Sequence, residues 1–133
     1  METTKEPIIS ARAQIDRSHY KTLVTVDNHI VISDEPVTIG GTDTGASPQG
    51  LLLASLGSCT AITLRMYIDH KMWSVDQITV NLDLFNIDGD TLIELQLSFE
   101  GDLTDEQKKR LVQIAHSCPI HKMLTGNIMI ETD

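Results

Sequence analysis

The sequence is poor in cysteine, with only Cys59 and Cys118 among 133 residues. Two cysteines allow one bridge at most, so a disulfide-stapled scaffold is excluded. Positive charge is also scarce: 10 lysines and arginines stand against 19 acidic residues, for a net charge of −9. That balance repels phosphate backbones and anionic headgroups, which argues against nucleic acid or a membrane surface as partner. The opening "METTKEPI" has no basic stretch leading into an apolar run and does not read as a secretory signal. The longest apolar stretch, around Leu51 to Leu56, is expected to be too short to span a bilayer. A cytoplasmic location is therefore expected. Its reducing environment disfavours a permanent disulfide and leaves room for a transient one. No repeat, low-complexity tract or linker divides the chain, which reads as a single domain over residues 1–133.

What is present reads as α+β, with antiparallel hairpins around a buried helix. "YKTLVTV" (20–26) and "IVIS" (30–33) look like strands joined by a turn at Asp27-Asn28-His29. A glycine-rich loop follows from Gly40 to Gly50, read as a flexible connection. It lacks the spacing and lysine of a phosphate-binding loop. Ser47-Pro48 marks a helix start, because serine caps the first amides and proline fits the first turn. The helix from Pro48 to about His70 is apolar on nearly every side through Ile62, the mark of a buried helix. Within it, Gly57 and Ser58 would let another backbone approach closely. "QITVNLDLF" (77–85) and "TLIELQLSF" (91–99) alternate with period two around Asp88-Gly89, the clearest hairpin in the chain. Thr104 and Gln107 have capping-box spacing for a second helix, which Pro119 interrupts just after Cys118. A short helix or turn and a last strand, "NIMIET", are expected to complete the fold. The acidic pairs Asp34-Glu35 and Asp105-Glu106 read as strand-end and helix-start charges.

The cysteines are the candidates for chemistry. Cys59 lies within the apolar helix, where packing as a small hydrophobe is the ordinary fate of a thiol. Cys118 sits at the break made by Pro119, with His116 and His121 close in sequence. A peroxide-reducing thiol needs thiolate character, a pocket for the oxidant and a second thiol to trap the sulfenic acid; the spacing here leaves only the third open. Zinc is the rival use of His116, Cys118 and His121, with Cys59 as a fourth ligand, but a structural site draws on more sulfur or a second paired motif. No metal is expected. The bland reading of the histidines is a favourable charge at a helix end.

Two stretches carry a family resemblance: "SDEPVTIGGTDTGASPQGLLLASLGSCTAITLRMY" and "FEGDLTDEQKKRLVQIAHSCPIHKML". Together they resemble the OsmC/Ohr family of osmotically inducible and organic-hydroperoxide-resistance proteins, from about Ser33 to the C-terminus. The resemblance implies antiparallel sheets wrapped around a long buried central helix in an intertwined homodimer. It implies a peroxiredoxin-like thiol peroxidase for organic and, less efficiently, inorganic hydroperoxides, without metal or organic cofactor. Cys59 matches the peroxidatic cysteine and Cys118 the resolving cysteine. A Cys59 sulfenic acid would become a Cys59–Cys118 disulfide, and a dithiol reductant, in one branch a lipoylated protein, would restore both thiols. Gln49 stands where members of the family carry a glutamate that holds a thiolate-stabilising arginine. Arg17 is assigned that arginine's role, with Arg12 as the alternative and Ile39 where some members place it. A non-enzymatic protein that binds small molecules or senses redox state in the same apolar pocket is the rival function.

Overall fold

The computed structural model describes residues 5–133. They form two compact units, the first ending at Leu51 and the second running from Leu52 to Asp133. In the first unit, β1 (Ala11–Ile15), β2 (Thr22–Val26) and β3 (His29–Ser33) make an antiparallel sheet in that order. The β2–β3 hairpin turns at Asp27, which takes the left-handed conformation that aspartate tolerates. Strand β1 lies outside the sequence expectation: all five of its residues are exposed, so it has no buried face to print an alternation.

The glycine-rich connection is fixed in place rather than flexible. Asp34, only 2% exposed, accepts through one carboxylate oxygen from the amides of Tyr20 (3.0 Å), Glu35 (2.7 Å) and Thr42 (3.4 Å). Its other oxygen accepts from the Thr42 hydroxyl (2.5 Å), the Thr44 amide (3.1 Å) and the Thr44 hydroxyl (2.7 Å). Asp34 is therefore an internal anchor, not a strand-end charge. The hydroxyls of Thr42 and Thr44 hold its carboxyl far below the usual carboxylate range, overcoming the opposing effect of burial. Ser33 adds a bond from its hydroxyl to the Ala46 carbonyl at 2.9 Å.

Helix α1 (Pro48–Lys71) starts as expected, with the Gly50 amide donating to the Ser47 hydroxyl at 3.1 Å. Only one stripe of it is buried: Leu56, Gly57, Thr60, Leu64 and Ile68. Leu52, Ile62 and Met66 remain 39%, 55% and 68% exposed, so the expectation of burial on all sides fails within one chain. At 24 residues and a mean hydropathy of 1.5, α1 is long and apolar enough to cross a membrane by composition, contrary to the reading of its apolar run as too short. Its buried stripe instead forms a core. Leu64 and Ile68 pack with Val75, Leu111 and Ala115, flanked by Trp73, Leu97 and Phe99.

Strands β4 (Val75–Ile87) and β5 (Asp90–Gly101) form the long hairpin around Asp88-Gly89, both with positive φ. A register shift between Val75 and Gln77 breaks the ladder at its base. What approaches Gly57 is the Leu82 side chain of β4, not another backbone. Helix α2 (Asp105–Ala115) opens with the full Thr104/Gln107 capping box, at 2.8 and 3.1 Å. Helix α3 (Pro119–Thr125) follows Cys118. The expected last strand does not form: residues 127–133 are extended and unpaired among the described residues, with Met129 and Ile130 88% and 86% exposed. Alternation alone makes no strand without a neighbouring edge to pair with.

Candidate active site

Cys59 and Cys118, far apart in sequence, are brought together within the second unit. Cys59 comes from the middle of α1 and is half-buried; Cys118 lies at the junction of α2 and α3 with no solvent exposure. The junction follows from Pro119, whose ring ends one helix and suits the first turn of the next. Cys118 becomes the N-cap of α3, and its sulfur accepts the His121 amide at 3.4 Å. The junction is packed and bonded.

The two thiols lie close enough for each to shift the other's titration. Burial pushes the Cys59 thiol up, and the bond to Cys118 pushes it further. Burial also works against ionisation of Cys118, but donors outweigh it there: the Cys59 thiol, the His121 amide, the Thr60 hydroxyl and the Ile120 amide together hold Cys118 below its ordinary value. Of the two, Cys118 is the thiol favoured to ionise. Because the titrations are coupled, they belong to the pair.

Two clefts are lined in part by the helices that carry the thiols. One, of about 360 Å³, lies between Leu52 and Leu56 of α1, Ile93 and Leu95 of β5, and His121 and Leu124 of α3. The other, of about 190 Å³, is lined by Leu95, Leu97, Val112, Ala115, His116 and His121. His121 and Leu95 belong to both, so the clefts adjoin. The larger falls in the range of small-molecule sites and is mainly apolar. The imidazoles of His116 and His121 stack at 4.9 Å with an interplanar angle of 16°. Among the described residues no cluster of three or more histidine, cysteine or acidic side chains could hold a metal ion.

The remaining sequence candidates belong to the first unit. Gln49 is exposed in the first turn of α1, ten residues and about 15 Å of helix rise from Cys59. Arg17 is exposed between β1 and β2 in the first unit. Sequence reading missed Thr60 and Thr63, whose hydroxyls favour ionisation of Cys118 and Cys59 respectively. Their signal was the run Cys59-Thr60-Ala61-Ile62-Thr63, in which polar groups recur beside the thiol within an apolar helix.

Residues 41–133 match the sequence profile of the OsmC-like proteins. The chain belongs to the OsmC-like family. Solved OsmC-like structures share its fold. The OsmC-like protein from Mycoplasma pneumoniae is 18% identical with a TM-score of 0.77, the alignment covering 92% of this chain and 90% of that one. An organic hydroperoxide resistance protein from Elizabethkingia anophelis is 26% identical with a TM-score of 0.66, over 96% and 93% of the two chains. One from Legionella pneumophila is 20% identical with a TM-score of 0.67, over 93% of each. No curated protein matches the chain. Within this family setting, the paired thiols are the feature through which a chemical role is to be argued.

Proposed function

We propose that this OsmC-like protein is a cysteine-based peroxidase for organic hydroperoxides, acting in the cytoplasm as a homodimer. The observation that carries the reading is the pair of neighbouring free thiols on helices that also line an apolar cleft. Cys59, the more exposed sulfur, attacks a peroxide oxygen while Cys118 takes its proton. The O–O bond breaks, the alkoxide leaves and is protonated by water, and Cys59 becomes a sulfenic acid. Cys118 then condenses with it, forming the S–S bond and releasing water. A dithiol reductant, such as one borne on a lipoylated protein, reduces the disulfide. In this scheme Cys118 is first a base and then the resolving thiol. Arg17, or a residue held by Gln49, would add charge to the thiolate in the assembled dimer. The exposed Ile62 and Met66 support association: with Ala61, Arg65 and Ile78 they line a groove of about 450 Å³ that one chain leaves open.

The test is steady-state consumption of cumene hydroperoxide and of hydrogen peroxide with dihydrolipoamide as reductant. Faster turnover of the organic peroxide, abolished in Cys59→Ser, is expected. Folded protein that consumes neither would overturn the reading. The strong burial of Cys118 favours one rival, a redox sensor that forms the disulfide once without turnover. It would show oxidation by one equivalent of peroxide and no steady state.

A further inference from the structure

The two apolar clefts of the second unit share two wall residues, Leu95 and His121. Leu95 is held in the β4–β5 ladder, whereas His121 presents a single ring from α3. Both clefts lie close to the thiols. The His121 amide is 3.4 Å from the Cys118 sulfur, and Leu56 of the larger cleft stands one helical turn before Cys59. The smaller cleft, at about 190 Å³, is below the range of small-molecule sites on its own, and the larger, at about 360 Å³, is just inside it.

We propose that the two clefts are lobes of one site for an unbranched aliphatic chain, and that the His121 imidazole is the partition between them. His121 is then a specificity-determining residue, because it sets the length of chain that the site accepts. The chemistry of the walls selects the ligand. Leu52, Leu56, Ile93 and Leu124 face the larger lobe, and Leu97 and Val112 the smaller. Apart from the imidazoles no ionisable side chain among the described residues lines either, so a charged group would enter unpaired. A flexible chain can pass from one lobe to the next, which a rigid ring system cannot. The partition is braced from one side. The ring of His121 lies nearly parallel to that of His116, and His116 lines only the smaller lobe. The backbone that carries the ring is anchored separately, by the amide on Cys118 and by the carbonyl, which accepts the Thr125 hydroxyl at 2.8 Å. Removing the ring therefore opens the wall and leaves those bonds in place. The bearing of His121 on turnover rests on the peroxidase reading; the binding of an unreactive chain does not.

The experiment uses the reduced full-length protein and the alcohols from 1-butanol to 1-decanol, titrated by NMR at a single pH. In wild type the affinity should rise about fourfold with each methylene while the larger lobe fills, the scale of one buried methylene, and then level off. In His121→Ala the levelling should come at a longer chain, and in His121→Phe, which keeps a ring, at the wild-type length. Should alanine disturb folding by circular dichroism, His121→Ser carries the same expectation. Wild type that binds none of the alcohols overturns the site. A levelling unmoved by alanine or serine, or a phenylalanine variant that behaves like alanine, overturns the partition. The second arm compares kcat/KM for decyl and tert-butyl hydroperoxides, whose ratio should rise at least about fourfold in His121→Ala, as for one further methylene buried. A ratio unmoved while the alcohols behave as expected overturns the role in specificity. Alcohols that behave as expected on a protein that consumes neither peroxide support the partitioned site and sink the peroxidase reading instead.

Discussion

Gly57 sits on the buried stripe of α1, two residues before Cys59, and its place against β4 can be tested by adding a single methyl group. A Cβ at this position would lie 2.7 Å from Cδ1 of Leu82, with Cδ2 and Cγ at 3.9 Å. Optimal carbon contacts lie at about 3.5–4.0 Å, so Leu82 must withdraw one methyl group by about 1 Å in Gly57→Ala. Overpacking of this kind costs about 1–3 kcal/mol. Only the far end of a half-buried side chain is affected, which places the cost at the lower end. Alanine is better than glycine inside a helix by about 1 kcal/mol, partly offsetting the clash. The net change should be between zero and about 2 kcal/mol of destabilisation. In a Leu82→Ala background the obstructing methyl is gone, and the same substitution should stabilise by about 1 kcal/mol. The coupling between the two sites is then about 1–3 kcal/mol. Urea unfolding of the four proteins at equal protomer concentration, followed by far-UV circular dichroism, measures it. If Gly57→Ala has the same effect in both backgrounds within about 0.5 kcal/mol, the contact of Gly57 with β4 is not what fixes this residue.

Other consequences are as direct. Leu64, fully buried at the centre of the core, should cost about 2–5 kcal/mol on truncation to alanine, seen as a lower urea midpoint. Asp34→Asn replaces acceptors with an amide whose NH2 faces donors, and thermal unfolding should begin earlier, with the Gly40–Gly50 loop cut faster by protease. Because the folded carboxyl of Asp34 is depressed, its contribution is fully present above the usual carboxylate range and is lost as pH falls below 3.8; wild type should lose stability there more steeply than Asp34→Asn. Light scattering across dilution should find a dimer that Met66→Glu weakens, and a folded monomer at micromolar concentration would refute the association.

Much of this was legible because local chemistry decided it. Ser47-Pro48, the Thr104/Gln107 box and Asp88-Gly89 each specify a helix start or a turn through bonds within a few residues. Strand β1 was not legible, since its exposed residues owe their conformation to pairing with β2 and not to an alternating face. "NIMIET" showed the opposite failure, a pattern with no partner in the described chain. Asp34 read as a surface charge because its donors, Thr42 and Thr44, return to it across a loop. The thiols were named from family resemblance, but which of them ionises more readily depends on amides and hydroxyls that only folding brings near them.

The sulfur of Cys118 holds two posts at once, reagent and helix cap. The amide of His121 leans on it for a partner at the start of α3. A thiolate is a willing acceptor, whereas a sulfur tied into a disulfide has given up its charge and must turn towards its new bond. If the pair cycles as proposed, each oxidation would withdraw a support from the first turn of α3 and each reduction would return it. The hydrogen exchange of the His121 amide would then report the state of the pair, legible from outside the site without any substrate in hand.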